Sequence, residues 1–345
     1  LASTDITANA LKDADILLCR SVNKINAELL DNTLIKFVAT ATSGSDHIDK
    51  AWLEKKNITW TNAPGCNARS VAEYVVCTLA ALHQQGKLKG KRAGVIGAGR
   101  VGSLVIQSLQ DLGFEVIVHD PLRSEHEQKF ISAPLTQFID LDLICIHAAL
   151  TTTGNHPSFH LIEKKFLQQQ KTGCVLLNAA RGAIINSEDL KKYSEHLTLC
   201  LDVYEDEPNI DLDLIQQATI CTPHIAGHAV QAKWHGAEMV YRSAMQWLKQ
   251  TAVDNIPYPI APPEITVPDT SNDWKGVVLN IYDPRQDTQQ MKKHLLQQNI
   301  STAEGFSQLR DNYRVHHEFD YVRLRGKGFN KHDGVLLTSL GLQSS

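Results

Sequence analysis

The sequence has no long apolar run, no excess of one charge and few aromatic residues. Its 345 residues carry 34 Lys and Arg against 38 Asp and Glu, a formal net charge of −4. Because this balance is nearly even, it gives no indication of a surface for nucleic acid or anionic lipid. A bilayer span needs about 20 consecutive apolar residues, but the longest candidate, 71–82, is shorter and contains Glu73. We expect a cytoplasmic protein that does not bind membranes.

Cysteine is present, but its spacing does not match a metal or disulfide framework. The seven cysteines are scattered, none forms a Cys-x-x-Cys pair, and most lie in apolar runs. Structural zinc sites use closely spaced pairs, so we expect reduced, buried thiols and no metal site. The chain begins at Leu1 rather than Met, and we expect that an opening segment precedes it in the full protein.

Short apolar runs alternate with helical patterns from residue 15 to about residue 225. The runs are rich in Val, Ile and Leu on both faces, which is typical of buried parallel strands. Their alternation with helices predicts an α/β fold with helices on both sides of the sheet. The runs are Ile16–Cys19, Phe37–Thr40, Ala93–Ile96, Val116–Val118, Leu143–Ile146, Val175–Leu177, Leu197–Leu201 and Thr219–Cys221.

Two long helices and a change of composition complete the outline. Apolar residues three and four apart predict a helix over Ala68–Gln84, and a second is expected over about Gln231–Lys249. Five prolines between Pro257 and Pro268 predict a linker. A small α+β module of about 80 residues is expected to follow. Its expected elements are strands at 277–281 and 321–324 and helices at 288–298 and 303–315.

A glycine-rich turn follows the third apolar run. It reads Gly97-Ala-Gly99-Arg-Val-Gly102, leads into a helical stretch, and the next strand ends at Asp120. Gly97 permits a tight turn, Gly99 lets a pyrophosphate approach the backbone, and Gly102 lets helix and strand pack closely. The helix N-terminus offers N–H groups to the phosphates. Asp120 can accept from both ribose hydroxyls and would repel a 2′-phosphate, which favours NAD over NADP; Arg123 nearby argues mildly the other way.

Three polar segments follow the later strands. Arg181 lies in Asn-Ala-Ala-Arg-Gly, Glu207 in Glu-Asp-Glu-Pro, and His224 in Thr-Pro-His-Ile-Ala-Gly. Ligands of open α/β sheets bind at the carboxyl ends of the strands, so we expect these side chains to converge. Arg181 can grip a carboxylate, His224 can take a hydroxyl proton, and Glu207 can favour the imidazolium. Each alone has a structural alternative, but together they indicate oxidation of a 2-hydroxy acid.

In this order, behind a dinucleotide-binding turn, the three segments resemble the D-isomer-specific 2-hydroxyacid dehydrogenase family. The resemblance implies a Rossmann NAD-binding domain inserted into a flavodoxin-like substrate (lid) domain, followed by a small C-terminal α+β dimerisation domain. The implied boundaries are 1–67 with 226–255 for the lid, 68–225 for the NAD domain and 256–345 for dimerisation. The resemblance also implies a homodimer and an opening strand ahead of residue 1.

Other stretches resemble one branch of that family, which oxidises 4-phospho-D-erythronate to 2-oxo-3-hydroxy-4-phosphobutanoate with NAD in vitamin B6 biosynthesis. The resemblance implies that activity for this chain. Two alternatives stay open: a dehydrogenase of another D-2-hydroxy acid, such as phosphoglycerate or glycerate, and an NAD(H)-sensing, partner-binding protein. The stretches that carry the resemblance are 20–26, 39–49, 62–68, 281–287 and 306–314.

The resemblance also assigns roles residue by residue. It gives catalysis to Arg181, Glu207 and His224. The implied cofactor contacts are Gly97, Gly99, Arg100, Val101, Gly102, Asp120, Ala148, Asp202 and Gly227. The implied substrate contacts are Ser21, Thr42 and His228, with Arg20 and Lys24 added for the phosphate by residue type and place. His228 replaces a family Tyr, and Ala148 replaces a Thr, so only a backbone contact to NAD can survive at Ala148.

Overall fold

The computed structural model describes residues 5–254, 256–258, 260–261, 263–266, 273–297, 300–325 and 331–344. Pro259, Pro262 and Pro268 of the expected linker, and Gln298 of an expected helix, lie outside these residues. The chain folds into two compact units. The small unit comprises Leu1–Ala68 and His228–Ala261, and the large unit comprises Arg69–Gly227 and Pro262–Ser345.

The strands and helices of the described residues are numbered in chain order. The strands are β1 Ile16–Cys19, β2 Phe37–Thr40, β3 Thr59–Asn62, β4 Arg92–Ile96, β5 Glu115–His119, β6 Leu143–Ile146, β7 Val175–Asn178, β8 Thr198–Leu201, β9 Ile220–Cys221, β10 Glu264–Thr266, β11 Arg323–Arg325 and β12 Gln343–Ser344. The helices are α1 Ala27–Leu30, α2 Lys50–Lys55, α3 Ala68–Gln84, α4 Arg100–Asp111, α5 Pro121–His126, α6 Lys164–Gln168, α7 Ser187–Tyr193, α8 Leu212–Gln217, α9 Val230–Trp247, α10 Trp274–Ile281, α11 Pro284–Gln297, α12 Thr302–Asp311 and α13 Lys331–Ser339.

The small unit is built on a parallel sheet in the order β1-β2-β3. Its central strand β2 is buried along its whole length because both faces are covered. Val38 packs on one side into a cluster with the first two helices, and Phe37 and Ala39 pack on the other side against Val240 of α9. The predicted strands β1 and β2 and the predicted helix over about 231–249 are confirmed. The strand β3 was not predicted, since its residues are partly exposed and largely polar.

The large unit contains a six-stranded sheet in the order β5-β4-β6-β7-β8-β9, with every neighbouring pair parallel. Strands β6, β7 and β8 are buried at every position, as expected for strands covered by helices on both faces. Helix α3, predicted with the same bounds, is buried from Val71 to Leu82. This apolar stretch is therefore a core helix. Among the described residues, no helix is both long and apolar enough to cross a bilayer.

The C-terminal segment of the large unit carries a second parallel sheet, β10-β11-β12. The strand expected at 277–281 is wrong, because these residues form helix α10. Asp273 caps this helix by accepting a hydrogen bond from the Gly276 N–H. The short apolar run fits a strand as well as a helix, and the cap residue ahead of it was not taken into account. The strand expected at 321–324 is confirmed at Arg323 and Leu324, which belong to β11, whereas Tyr321 ends a 3-10 turn, Phe319–Tyr321. The stretch expected to be a linker contains the edge strand β10.

Two buried carboxyl groups join α3 to the C-terminal segment. Glu73 Oε2 accepts a hydrogen bond from the Phe319 N–H at 2.9 Å, and Glu318 is 2% exposed. Burial, reinforced by the negative charge of Asp320, raises the pKa of Glu318 to about 7. Burial and the nearby Glu318 also raise the pKa of Glu73 well above its ordinary value. The folded chain therefore favours the protonated form of these acids.

We expect the free energy of unfolding to fall as pH rises from 5 to 8, because the folded state must ionise Glu318 at a cost that the unfolded chain avoids. Glu318→Gln removes that cost. We expect its Tm to match the wild type at pH 5 and to exceed it by several degrees at pH 8, a gain of about 2 kcal/mol. Thermal unfolding at the two pH values measures this difference.

The matched control is Glu264→Gln, which removes an exposed carboxylate paired with Arg325. It should leave the pH dependence of Tm unchanged, because exposed ion pairs contribute little to stability. The same pH dependence of Tm in wild type and Glu318→Gln would contradict the assignment.

Candidate active site

The large sheet places the predicted cofactor and catalytic residues along one edge. All six strands are parallel, so their carboxyl ends face the same way. The residues that follow these ends, in the spatial order of the strands, are Asp120, Gly97, Ala148, Arg181, Asp202 with Glu207, and His224. This edge of an open α/β sheet is where such proteins bind their ligands.

The glycine turn after β4 fits a dinucleotide. Gly97 has φ +90°, and a side chain there would collide with the backbone of Ala148. A side chain on Gly102 would overlap the carbonyl oxygen of Gly97, so this residue allows α4 to pack against the turn. A side chain on Gly99 would meet nothing within 4 Å, and Gly99 provides no side-chain cap for α4. The turn is therefore tightly packed at Gly97 and Gly102, whereas Gly99 has free space beside it. A pyrophosphate requires such free space in order to approach the backbone.

Asp120 and Arg123 are both held by the turn. Asp120 Oδ2 accepts from the Ala98 N–H at 2.7 Å, and Oδ1 accepts from the Arg123 N–H at 2.9 Å. The Arg123 guanidinium donates to the Ala98 carbonyl and the Ser103 hydroxyl, and its Nε donates to Glu127. Because these groups already occupy Arg123, the argument that it serves a 2′-phosphate is weakened. Asp120 stays at the end of β5, where a ribose-binding carboxylate belongs.

His224 and Glu207 form a hydrogen-bonded pair. His224 Nδ1 lies 2.6 Å from Glu207 Oε2, and Glu207 Oε1 accepts from the Tyr204 N–H at 2.9 Å. Burial alone would raise the pKa of Glu207, but His224, the Tyr204 N–H and the positive charge of Arg310 outweigh it and hold that pKa below its ordinary value. Glu207 is therefore an anion at neutral pH, and its bond to Nδ1 leaves Nε2 as the proton-accepting atom.

Asp202 fixes the loop that carries His224. Its carboxylate is 1% exposed and accepts from Thr222 Oγ1 at 2.6 Å, from the Ile225 N–H at 2.8 Å and from the Ala226 N–H at 3.1 Å. His224 has φ +56°, a strained conformation for a residue with a side chain. Bonds on both sides of His224 hold this conformation. The structure thus gives Asp202 a loop-anchoring role, next to its expected cofactor contact.

Helix α3 supplies two contacts that the sequence did not indicate. Ser70 Oγ donates to the Ala226 carbonyl at 2.9 Å, and Tyr74 Oη lies 2.8 Å from Thr222 Oγ1. Ser70 and Tyr74 are four residues apart and so share one helix face. Two polar side chains four residues apart on one face of a largely apolar helix are the signal that could have found them.

Arg181 follows β7 in the partly buried stretch that precedes Gly182. Its Nη1 donates to the Ala180 carbonyl at 2.7 Å, and its own carbonyl accepts from the Asn178 side chain. A side chain on Gly182 would overlap the Tyr204 carbonyl carbon at 1.8 Å, so the arginine segment and the Tyr204–Glu207 loop meet backbone to backbone. The glycine after Arg181 is what allows this close approach.

The other predicted residues lie in the small unit. Ser21 follows β1 and Thr42 follows β2, and the parallel register pairs Cys19 with Thr40. Both residues therefore lie beyond the carboxyl edge of that sheet. Thr42 Oγ1 bonds to the Gly44 carbonyl and to Thr40 Oγ1. His228 is half-buried just ahead of α9.

The small unit also contains three cations of interest, Arg20, Lys24 and Lys233. All three reach the protein surface, and Lys233 is partly covered. Partial burial, together with the positive charge of Arg20, lowers the pKa of Lys233, a residue of α9 that the sequence did not single out. Two cations close enough to interact create a positive potential suited to an anion. Across the described residues, no group of His, Cys, Asp and Glu side chains is placed to hold a metal ion, and all seven cysteines are buried.

Comparison with known proteins gives two family matches. The D-isomer specific 2-hydroxyacid dehydrogenase NAD binding domain matches residues 71–226. A domain of unknown function matches residues 261–341. The crystal structure of D-lactate dehydrogenase from Aquifex aeolicus complexed with NAD and lactic acid has a TM-score of 0.61 and 24% identity, covering 72% of this chain and 86% of that chain. This likeness shows the fold.

Curated relatives extend the match over most of the chain. The erythronate-4-phosphate dehydrogenase of Legionella pneumophila is 43% identical over 307 residues, which cover 88% of this chain and 85% of the relative. That of Coxiella burnetii is 38% identical over 324 residues, covering 89% and 84%. The chain therefore belongs to the D-isomer-specific 2-hydroxyacid dehydrogenase family, among the erythronate-4-phosphate dehydrogenases, and contains the family's NAD-binding domain.

Proposed function

We propose that the chain is a cytoplasmic NAD-dependent oxidoreductase that oxidises 4-phospho-D-erythronate to 2-oxo-3-hydroxy-4-phosphobutanoate, a step of vitamin B6 biosynthesis. The observation that carries the chemistry is the 2.6 Å bond between His224 and Glu207 at the same sheet edge as the glycine turn. The relatives' shared name supports the choice of substrate. The preference for this acid over phosphoglycerate or glycerate rests on that similarity.

In this proposal, bound NAD⁺ supplies the hydride acceptor, and the glycine turn with Asp120 would hold it. Arg181 binds the substrate carboxylate through its guanidinium and stabilises charge on the developing carbonyl. His224 Nε2 takes the proton of the hydroxyl on carbon 2 as that carbon is oxidised. Glu207 accepts from Nδ1–H and stabilises the resulting imidazolium. In the reverse direction, the same imidazolium returns the proton.

Incubation of the purified chain with NAD⁺ should produce NADH from 4-phospho-D-erythronate, and much less from 3-phosphoglycerate or D-glycerate. His224→Asn should lower kcat by about 100-fold or more because the base is lost, while its Kd for NADH stays close to that of the wild type. Absorbance at 340 nm and NADH fluorescence titration measure the two quantities. Turnover of another acid instead would move the assignment within the family. NADH binding with no turnover of any acid by the wild type would favour a sensing role.

We further propose that the cations of the small unit bind the substrate phosphate. Arg20 directly precedes Ser21, a proposed substrate contact. Its positive charge is close enough to add to the effect of partial burial in lowering the pKa of Lys233. A phosphate monoester carries nearly two negative charges at neutral pH and binds best to several cations. Lys24 belongs to the same proposal by position, since it follows Ser21 by three residues.

Arg20→Gln and Lys233→Gln should each raise the KM for 4-phospho-D-erythronate by about 10-fold or more, because a charged hydrogen bond to the phosphate is lost. Neither should change kcat/KM for unphosphorylated D-erythronate, which brings no phosphate. Lys36→Gln, which removes an exposed lysine paired with Asp15, is the matched control. Equal losses on both substrates would contradict a role in phosphate binding.

The proposal also includes a homodimer formed through residues 256–345, which carry no predicted catalytic residue. Size-exclusion chromatography with light scattering should give twice the chain mass of 38.3 kDa at micromolar concentration. A monomer under those conditions would contradict dimerisation.

A further inference from the structure

The loop that carries Glu207 also carries Glu205, and Glu205 binds a different histidine. His160 Nε2 lies 2.5 Å from Glu205 Oε1, and Glu205 Oε2 accepts from the Ser187 N–H at 3.0 Å. The His160 and Glu205 side chains are only 28% and 20% exposed. Burial alone would raise the pKa of Glu205, but the bonds from His160 and Ser187 hold it below its ordinary value. Glu205 is thus an anion that joins two other segments to its own loop.

The neighbouring Asn186 determines which nitrogen of His160 carries the proton. Asn186 Oδ1 accepts from the Asp189 N–H at 3.0 Å as the cap of α7, so its amide nitrogen points to His160 Nδ1, 3.1 Å away. An amide nitrogen can only donate. Nδ1 of His160 is therefore an acceptor, and Nε2 carries the hydrogen that is donated to Glu205. Both ring nitrogens are occupied by the protein, which leaves neither of them to exchange a proton with a substrate.

The backbone of His160 is held in an unusual conformation. Its φ of +51° lies in the left-handed region, which a residue with a side chain adopts at a cost in free energy. The ring of Phe159 stacks on the imidazole with centroids 3.9 Å apart. Such a strained conformation persists where several surrounding contacts hold it in place, and it is common beside functional sites. His160 thus binds Glu205 from a left-handed backbone conformation, just as His224 binds Glu207.

The segment that contains His160 is also joined to the segment that carries Arg181. The His160 N–H donates to the Ala183 carbonyl at 2.9 Å, and Ile162 forms an isolated parallel bridge with Ile185. The residues after Arg181 are therefore held by the His160 segment. In addition, Gly182 meets the Tyr204–Glu205 backbone without room for a side chain. The bond between His160 and Glu205 closes this three-segment assembly.

We propose that His160 and Glu205 are positioning residues, whose bond locks the Arg181 segment against the Glu207 loop and so keeps the carboxylate-binding arginine in register with the His224–Glu207 pair. This inference rests on the proposed function, because it assigns Arg181 and Glu207 to the same reaction. Neither residue contacts substrate in the proposal. Their effect reaches the reaction only through the geometry of the two loops.

The test is a double-mutant cycle of His160→Ala and Glu205→Ala, with kcat, KM, the Kd of NADH and Tm measured for each protein. Each single variant should lower kcat by about 10-fold or more, because small displacements of reacting groups are costly. The Kd of NADH should stay within about twofold of wild type. The double variant should lose no more activity than either single one, since both remove the same bond.

The isotope effect on hydride transfer separates positioning from general support of the fold. With substrate deuterated at carbon 2, we expect a larger isotope effect on kcat in the variants than in the wild type, because misplacement slows the hydride step itself. Loss of folded protein alone would lower the apparent kcat and leave the isotope effect unchanged. Glu205→Gln should retain intermediate activity, since its amide oxygen can accept from one of the two donors that Glu205 joins.

A third His–Glu pair, distant from these loops in its partners, provides the matched control. His156 Nε2 lies 2.8 Å from Glu125 Oε1, but these side chains are 36% and 44% exposed. Ala variants of this pair should leave kcat and the isotope effect unchanged. Wild-type kcat in folded His160 and Glu205 variants, additive losses, or an unchanged isotope effect would overturn the inference. If the Ala variants do not fold, His160→Gln and Glu205→Gln take their place. A wild type inactive on 4-phospho-D-erythronate overturns the proposed function instead, and the same cycle is then run on the acid it does oxidise.

Discussion

The arrangement of the site depends on a buried carboxylate, that of Asp202. Asp202 directly follows β8, and its carboxylate accepts three hydrogen bonds from the segment between Thr222 and Ala226. Burial raises the pKa of Asp202, and the nearby His224 and these donors oppose that rise. A buried carboxyl group without hydrogen-bond donors would be costly, and the loop supplies these donors. The fold of this loop holds His224 in its left-handed conformation, and therefore sets where the imidazole meets Glu207.

Because the six strands of the large sheet are parallel, the segments that follow them lie along one edge of the sheet. The six strands of the large sheet end on the same side, and all of them except β6 are followed directly by a polar or glycine-containing segment. The glycine turn and Asp120 lie at the β4–β5 end, and Glu207 and His224 lie at the β8–β9 end. Ala148 and Arg181 follow the two strands between them. The residues proposed to hold the cofactor and the His224–Glu207 pair therefore follow strands of the same sheet, and this arrangement would let one sheet serve both tasks.

Strands with apolar residues on both faces could be predicted from the sequence, because burial on both faces gives an unbroken apolar run. Because strands of this kind are parallel and end on the same side of the sheet, the glycine turn and the polar residues after the strands could also be placed at one edge. The prediction failed where the run is short or polar. Val277 to Ile281 fits a strand as well as a helix, and the cap at Asp273 decides between them. Strand β3 is largely polar, so its pairing with β2 left no periodic signal. Contacts far apart in sequence, such as Ser70 with Ala226, depend on the tertiary fold.

The Glu-Asp-Glu-Pro segment shows how two identical side chains acquire different tasks from their partners. Glu205 and Glu207 are two residues apart, both are anions, and both bind a histidine with positive φ. The difference lies at the far nitrogen of each ring. Asn186, oriented by its role as a helix cap, occupies Nδ1 of His160 and leaves that ring no atom for substrate. His224 instead gives Nδ1 to Glu207, which leaves Nε2 for chemistry. A sequence motif cannot distinguish these cases, because the distinguishing group is an amide that belongs to another segment.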